Sequence, residues 1–251
     1  MKLKFFDANL YVGKPTKAVY KPAVSAEEAI RALDVQGIEK AIVWHIAQHD
    51  LSPVEGNRLL SGLITGQKRL YGCWTILPPQ TGEVITLDFF DRMKKERIAA
   101  LRAFPDIHRF MLNRVVFGSF LDEAGERKIP LLLSLEKGIS WQGVYGLLKD
   151  FPDLTCVLCD IGIWGADRYT WPLLENYGNI YLETSLLALG YGQLEATVRK
   201  FGAERIIFGS GFPERYPESS ICEVLHADIS EAARRKIARE NMENLIAGIK
   251  S

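Results

Sequence analysis

The sequence is short of the features that mark most specialised classes of protein. Four cysteines in 251 residues, scattered at Cys73, Cys156, Cys159 and Cys222, are too few for a disulfide framework. Cys156 and Cys159 have the spacing of a redox or metal pair, but they fall in Leu154–Asp160, which reads as a strand. Residues three apart on a strand point to opposite faces, so the two thiols are read as core. Neither charge sign is in excess, Lys plus Arg and Asp plus Glu each numbering 31, so there is no basic field to gather nucleic acid. The apolar stretch near the N-terminus is short and interrupted by Asp7, which excludes a signal-peptide core or membrane span there. A cytoplasmic protein without nucleic-acid or membrane partners is expected. No Pro/Ser-rich linker divides the chain, and no Gly-x-Gly-x-x-Gly turn follows an early strand, which argues against a dinucleotide site.

What the chain does have is apolar mass and a regular alternation. With 47% apolar residues it can bury a sizeable core as one domain, taken as 1–251. Short apolar runs recur at Leu3–Leu10, Lys40–His45, Arg69–Ile76, Ile98–Phe104, Ile129–Leu135, Leu154–Ile161, Ile180–Ser185 and Arg205–Ser210. Several are apolar almost throughout, the pattern of parallel strands buried on both faces. Amphipathic stretches lie between them. Ser25 with Glu28, and Ser52-Pro53 with Glu55, read as helix starts, Gly37 as a helix end, and Ser230–Ile249 as a closing helix. Eight strand-plus-helix units of roughly 31 residues match an α/β fold of the single (β/α)8 TIM-barrel type. An open doubly wound sheet is the alternative.

In such a barrel the chemistry sits at the C-terminal ends of the strands. That confines the candidates to Asn9 and Tyr11 after strand 1, His45 after strand 2, Arg102 and His108 at strand 4, Ser134 and Glu136 at strand 5, and Asp160 at strand 6. Glu183 and Ser185 follow from strand 7 and Ser210 from strand 8. Trp74, Phe104, Trp141, Trp164 and Phe212 also fall at or just past strand ends, so an aromatic mouth suited to a planar or apolar small ligand is expected.

The first strand ends in Asp7-Ala-Asn9-Leu-Tyr11-Val-Gly13 and the last in Gly209-Ser210-Gly211-Phe-Pro213, with Ile129-Pro130-Leu-Leu-Leu at strand 5 and Glu240-Asn241-Met-Glu-Asn244-Leu-Ile near the close. This frame resembles the amidohydrolase-related TIM-barrel family, whose strand 1 ends in Asp-x-His-x-His-x-Gly and strand 8 in Gly-Ser-Asp-x-Pro. The resemblance implies one or two divalent metals, held by two strand 1 histidines, one histidine each after strands 5 and 6, and the strand 8 aspartate. Those positions here are Asn9, Tyr11, Ser134, Asp160 and Gly211. An amide, a phenol and a hydroxyl are poor Zn²⁺ ligands beside imidazole and carboxylate, so no metal site and no cofactor are expected at the usual place. Zn²⁺ enters only through a relocated set of His45, His49 and Asp160.

Two functional readings follow. The first is a small-molecule pocket at the strand ends without the family's metal centre, catalytically degenerate or metal-independent. The second, drawn from the family's work on cyclic and aromatic acids, is a hydrolase or decarboxylase acting on such a carboxylate. In it Asp160, His45 and Tyr11 serve as catalytic acid-base groups. Asn9, Arg102, His108, Ser134, Glu136, Glu183 and Ser210 would then bind the substrate. Arg102 either takes a ligand carboxylate or pairs internally with Asp160 or Glu183, and Asp160 is either such a structural partner or an acid or base of raised pKa. A closed scaffold whose mouth is filled by aromatic side chains, and a homo-oligomer, are left open.

Overall fold

The computed structural model describes residues 3–162, 167–186 and 192–250. Its strands are β1 (Phe5–Val12), β2 (Ile38–His45), β3 (Leu70–Thr75), β4 (Ile98–Arg102), β5 (Leu131–Ser134), β6 (Cys156–Cys159), β7 (Ile180–Glu183) and β8 (Ile206–Ile207). They pair in chain order, each parallel to the next. Three backbone bonds draw the β8 and β1 edges together: Ala8 N–H to Phe208 O (3.0 Å), Gly211 N–H to Asn9 O (3.0 Å) and Tyr11 N–H to Phe212 O (3.1 Å). The result is a single, nearly closed eight-stranded barrel, as the alternation predicts.

The helices that clothe it begin with α1 (Ala26–Gln36), α2 (Ala47–Asp50), α3 (Pro53–Ile64), α4 (Phe89–Lys95), α5 (Pro105–His108) and α6 (Arg114–Glu126). They continue with α7 (Trp141–Asp150), α8 (Asp167–Asn176), α9 (Gln193–Phe201), α10 (Pro217–His226), α11 (Glu231–Arg235) and α12 (Asn241–Ala247). At the start of α1, Ser25 Oγ accepts from Glu28 N–H and the Glu28 carboxylate accepts from Val24 N–H (2.8 Å), satisfying donors that an uncapped helix leaves orphaned. Gly37 ends it at φ 71°. No helix among the described residues is long and apolar enough to cross a membrane.

Strand alternation divides the core in two. Phe6, Ile42, Cys73, Ala100, Leu132, Val157 and Ile207 fill the barrel, while Val43, Leu101, Leu133, Leu158 and Leu182 meet helix residues such as Leu33, Leu60, Leu121 and Leu147. Burial of each such side chain contributes about 1.5–3 kcal/mol. Cys156 belongs to the outer layer and Cys159 to the inner one, and both are free thiols, as the strand reading requires.

The sequence misleads in three places. The run Arg205–Ser210 supplies only a two-residue strand, because Phe208 N–H bonds Ile237 O and leaves the ladder. The closing helix divides into α11, a π turn over Lys236–Glu240 and α12. Beside that turn, Asn241 Nδ2 donates to the Ala203 and Ile206 carbonyls, a tertiary anchor that helical periodicity does not report. Trp74 packs outward against Phe89 and donates to Ser61 Oγ, so it is no part of the mouth.

Candidate functional site at the barrel mouth

The first strand carries the site's foundation. A register shift between Asp7 and Leu10 accompanies a local turn in which Asn9 N–H donates to Asp7 Oδ1 (2.9 Å). Asp7 also accepts from Ser210 N–H (3.0 Å) and Ser210 Oγ, which ties strand 1 to the loop after β8. Burial pushes the Asp7 carboxyl up, against the lowering effect of the Ser210 and Asn9 bonds. Ser210 is thus occupied by the barrel seam.

Asn9 is the connector above it. Its Oδ1 accepts from Arg102 Nη2 (3.0 Å), and its Nδ2 donates to Asp160 Oδ1 (3.2 Å) and Glu183 Oε2 (3.1 Å). An amide can place an acceptor toward a guanidinium and donors toward two carboxylates at once; an imidazole there could not do all three. The direct pairing of Arg102 with Asp160 or Glu183 considered from sequence is therefore replaced by a relay through Asn9. Arg102 is fully buried, stacks over Trp44 (4.8 Å), and among the described residues its Nε and Nη1 have no hydrogen-bond partner.

Asp160 sits at the end of β6 with φ 52°, a conformation that favours Gly, Asn and Asp. Its Oδ2 accepts from Ser134 Oγ (2.6 Å) and its Oδ1 from Arg215 Nη1 (2.8 Å), with Ser185 Oγ at 3.3 Å. Burial pushes this carboxyl up, but Lys137, Arg215, Ser134 and Arg102 together hold it below the usual carboxylate range. Glu183 behaves in the opposite way: burial, then the adjacent Asp160 charge, push it up to about 8. Ser185 Oγ lies 2.8 Å from Glu183 Oε2 and bridges the two acids. The environment thus drives the two acids apart, Asp160 toward its ionised form and Glu183 toward its neutral one.

The rim is ionic. Arg215 Nη2 pairs with Glu136, Lys137 Nζ pairs with Glu214, and Tyr11 hydroxyl donates to Glu214 Oε1 (3.4 Å). Burial and Glu214 push the Tyr11 phenol up, so it is a donor, not a base. Tyr11, Trp44, Phe104 and His49 form a chain of rings with centroids 4.9–5.4 Å apart.

The histidines stand outside the acid pair's hydrogen bonds. His45 Nδ1 accepts from Ala47 N–H (3.1 Å), and burial lowers its pKa, keeping the ring neutral. His49 Nδ1 meets Asp50 Oδ1 (2.7 Å). His108 lies edge-on to Phe104 (5.8 Å), packed in the ring cluster rather than against the acids. His45 belongs to β2 and only His49 to α2, so the two do not share a helical face. Trp141 stacks on Tyr169 (4.8 Å), and Trp164 lies outside the described residues.

Sequence reasoning missed Arg215, Lys137 and Glu214. The signal was Gly211. At φ 66°, a Cβ there would lie 2.8 Å from Arg215 Nη1 and 3.3 Å from Ser185 Cβ, so the glycine leaves room for the guanidinium. A lone buried Asp160 called for a cation, and the loop after β8 held one.

The amidohydrolase family model, Amidohydro_2, matches residues 8–245. The chain belongs to the amidohydrolase family. No curated protein sequence matches it. Among solved structures, an uncharacterised TIM-barrel protein of Bordetella bronchiseptica is similar at 18% identity and TM-score 0.75, covering 98% of this chain and 99% of that one. The 5-carboxyvanillate decarboxylase of Sphingomonas paucimobilis is similar at 13% identity and TM-score 0.73, with coverage of 99% and 100%. A probable 2-pyrone-4,6-dicarboxylic acid hydrolase of Acinetobacter baumannii follows at 14% and 0.72, with coverage of 97% and 99%. These likenesses establish the shared fold.

The family's divalent metal does not fit the residues present. Of the five positions Asn9, Tyr11, Ser134, Asp160 and Gly211, only Asp160 offers a carboxylate, and both its oxygens are taken. A permanently charged guanidinium contacts it at 2.8 Å. Among the described residues no group of three His, Cys, Asp or Glu side chains is placed to hold a metal.

Proposed function

We propose that this amidohydrolase-family barrel handles a small molecule at its mouth without the family's metal centre. The observation that carries the reading is the Asp160–Arg215 contact at 2.8 Å inside a ring of Ser134, Ser185 and Asn9 donors. A guanidinium supplies positive charge and directed donors but no open coordination position, so it cannot do a metal's work of ionising a bound water. The burial of Asn9, Arg102, Ser134, Asp160 and Glu183 favours binding or a degenerate site. A cytoplasmic location belongs to the same reading, supported by three buried free thiols. The test is elemental analysis of untagged protein before and after dialysis against Zn²⁺ and Mn²⁺. The reading expects less than about 0.1 equivalent, since functional Zn²⁺ sites survive dialysis; about one equivalent retained through Asp160 sinks it.

A second reading is favoured by the acid pair. A neutral Glu183 beside an ionised Asp160 gives a proton donor and an acceptor in one site, as a metal-independent decarboxylation or hydrolysis of a cyclic or aromatic carboxylate requires. The two similar enzymes named above act on aromatic and pyrone carboxylates by their descriptions. Turnover of such acids by metal-free protein, abolished in Asp160→Asn and Glu183→Gln, would establish it. Unchanged turnover in both variants would exclude it.

A further inference from the structure

The loop after β1 is fixed at its ends and loosely held between them. Gly13 N–H donates to Ala23 O (2.8 Å), Gly13 takes φ 97°, and Ala23 is buried in the main core. No residue from 14 to 22 is buried. A loop whose ends are tied together in this way is an Ω-loop, a form that frequently carries function.

One carboxylate holds it. Thr16 N–H and Thr16 Oγ1 donate to Asp50 Oδ2 (2.8 and 2.9 Å), and among the described residues these are the only hydrogen bonds that residues 14–22 make. Asp50, at the end of α2, is itself fixed, its Oδ1 meeting His49 Nδ1 at 2.7 Å. Burial pushes its carboxyl up, but the Thr16 and His49 bonds hold it below the usual aspartate range. It therefore meets the loop as a charged acceptor, the stronger kind. His49 in turn lies edge-on to Phe104 (4.9 Å) in the ring chain of the mouth, so this carboxylate connects the loop with the mouth.

The loop has room to move. A cleft of about 1020 Å³ separates it from the segment after β8. Its own wall carries Lys17 and Lys21, exposed and, among the described residues, without a carboxylate within 4 Å. The rest of the lining carries the exposed acids Glu136, Glu214 and Glu218, the last bonded by the neutral Gln36 amide (2.8 Å). Opposite charges thus share one open cleft, and their attraction grows as the loop swings inward.

We propose that residues 14–22 form a lid on the barrel mouth, latched open by Asp50, which on release swings across the cleft and settles its lysines on the carboxylates of the far wall. Closure screens the mouth from water, as mobile loops over reaction sites do. The lid rests on the proposed function in one respect, that the mouth is the site it covers.

Trypsin reads the latch. Of the lysines in the loop, Lys14 and Lys21 precede proline and resist cleavage, which leaves Lys17–Ala18 as its susceptible bond. The rate of nicking there in the full chain, followed by mass spectrometry and divided by the rate for a free peptide of residues 13–23, measures how often the loop is released. In about 0.5 M salt, where the closing charges are screened, Asp50→Asn should nick about tenfold faster than wild type, since it loses the charge behind both bonds. Thr16→Val, an exposed substitution that keeps the N–H bond, should nick about threefold faster and carries the test should Asp50→Asn fail to fold. Cleavage confined to Lys17–Ala18 marks local release rather than global unfolding. In about 10 mM salt the released loop should rest on the acids, so that Asp50→Asn nicks about threefold more slowly than at high salt, and adding Glu218→Gln should remove that protection. Equal high-salt rates for wild type and the latch variants overturn the latch, and a variant rate indifferent to salt overturns closure; either result sinks the proposal. No metal or ligand enters the assay, so its failure leaves the proposed function standing, while Zn²⁺ retained at the mouth refutes that reading and leaves the lid.

Discussion

Arg215→Met is the perturbation that tests most of the physical reasoning. It keeps a long apolar stem but removes the charge, leaving Asp160, 1% exposed, without its ion pair. Removing one partner of a buried pair costs about 3–5 kcal/mol. Arg215 keeps 17% of its side chain in solvent, and Lys137 also stabilises the Asp160 charge, so a loss near the lower end, about 3 kcal/mol, is expected. For a domain of this size that corresponds to a fall in Tm of about 6–12 °C. Asp160→Asn tolerates the positive φ and leaves the guanidinium paired with Glu136, so it should cost less. The double variant should then lose well less than the sum of the two single losses, with a coupling of about 1.5–3 kcal/mol. Denaturant melts of the four proteins at pH 7 measure that cycle directly. Additive losses, with a coupling below about 0.5 kcal/mol, would refute the idea that Arg215 and Asp160 form one unit.

Ionisation sets a second expectation. Glu183 has its folded pKa raised to about 8, so its contribution to stability is full below the unfolded value near 4.5 and is lost as pH rises through 8. Glu223, also pushed up to about 8 by burial and then Glu195, acts in the same window, so the difference between wild type and Glu183→Gln in melts from pH 5 to 9 isolates the Glu183 share. No difference in slope would remove Glu183 as the proton carrier. Asp160, held low, has the reverse sign: its stabilisation is present above the ordinary aspartate range and is lost on acidification below it. Gly209→Ala should destabilise the barrel by at least about 2 kcal/mol, because a Cβ there meets Glu183 Oε1 at 2.0 Å; a neutral result in thermal melts would mean that Glu183 has room to move. Thiol titration of native protein should report only Cys222, the exposed one, and all four cysteines after unfolding.

Most of the fold was legible because it is written in local periodicity. Eight runs buried on both faces, with caps such as Ser25 and Ser52 between them, leave few architectures other than a parallel barrel. The failures lie where tertiary contacts overrule the local pattern. Asn241 reaches two carbonyls near β8 beside a π turn that interrupts the closing helix, and Phe208 leaves its strand to bond Ile237. Trp74 shows the same limit. A strand-end position does not say which face a side chain takes once a register shift between Gly72 and Cys73 intervenes.

The site was half legible, and the reason is chemical. The residues standing at strand ends, Asn9, Arg102, Ser134, Asp160 and Glu183, converge in one hydrogen-bonded group. Their meaning depends on Arg215, which no strand pattern marks. Gly211 read alone is a missing ligand. With Arg215 Nη1 2.8 Å from where its Cβ would stand, it is also the vacancy that admits a guanidinium. Asn9 fits the same arrangement, since its amide faces a cation on one side and two carboxylates on the other. A buried and unpaired Asp160 would cost several kcal/mol. Instead every side-chain oxygen of Asp160 and Glu183 has a partner, with Asn9, Ser134, Ser185 and Arg215 supplying donors. That coherence is what an arrangement organised around an internal cation requires, and it is the ground on which the metal-free reading is proposed.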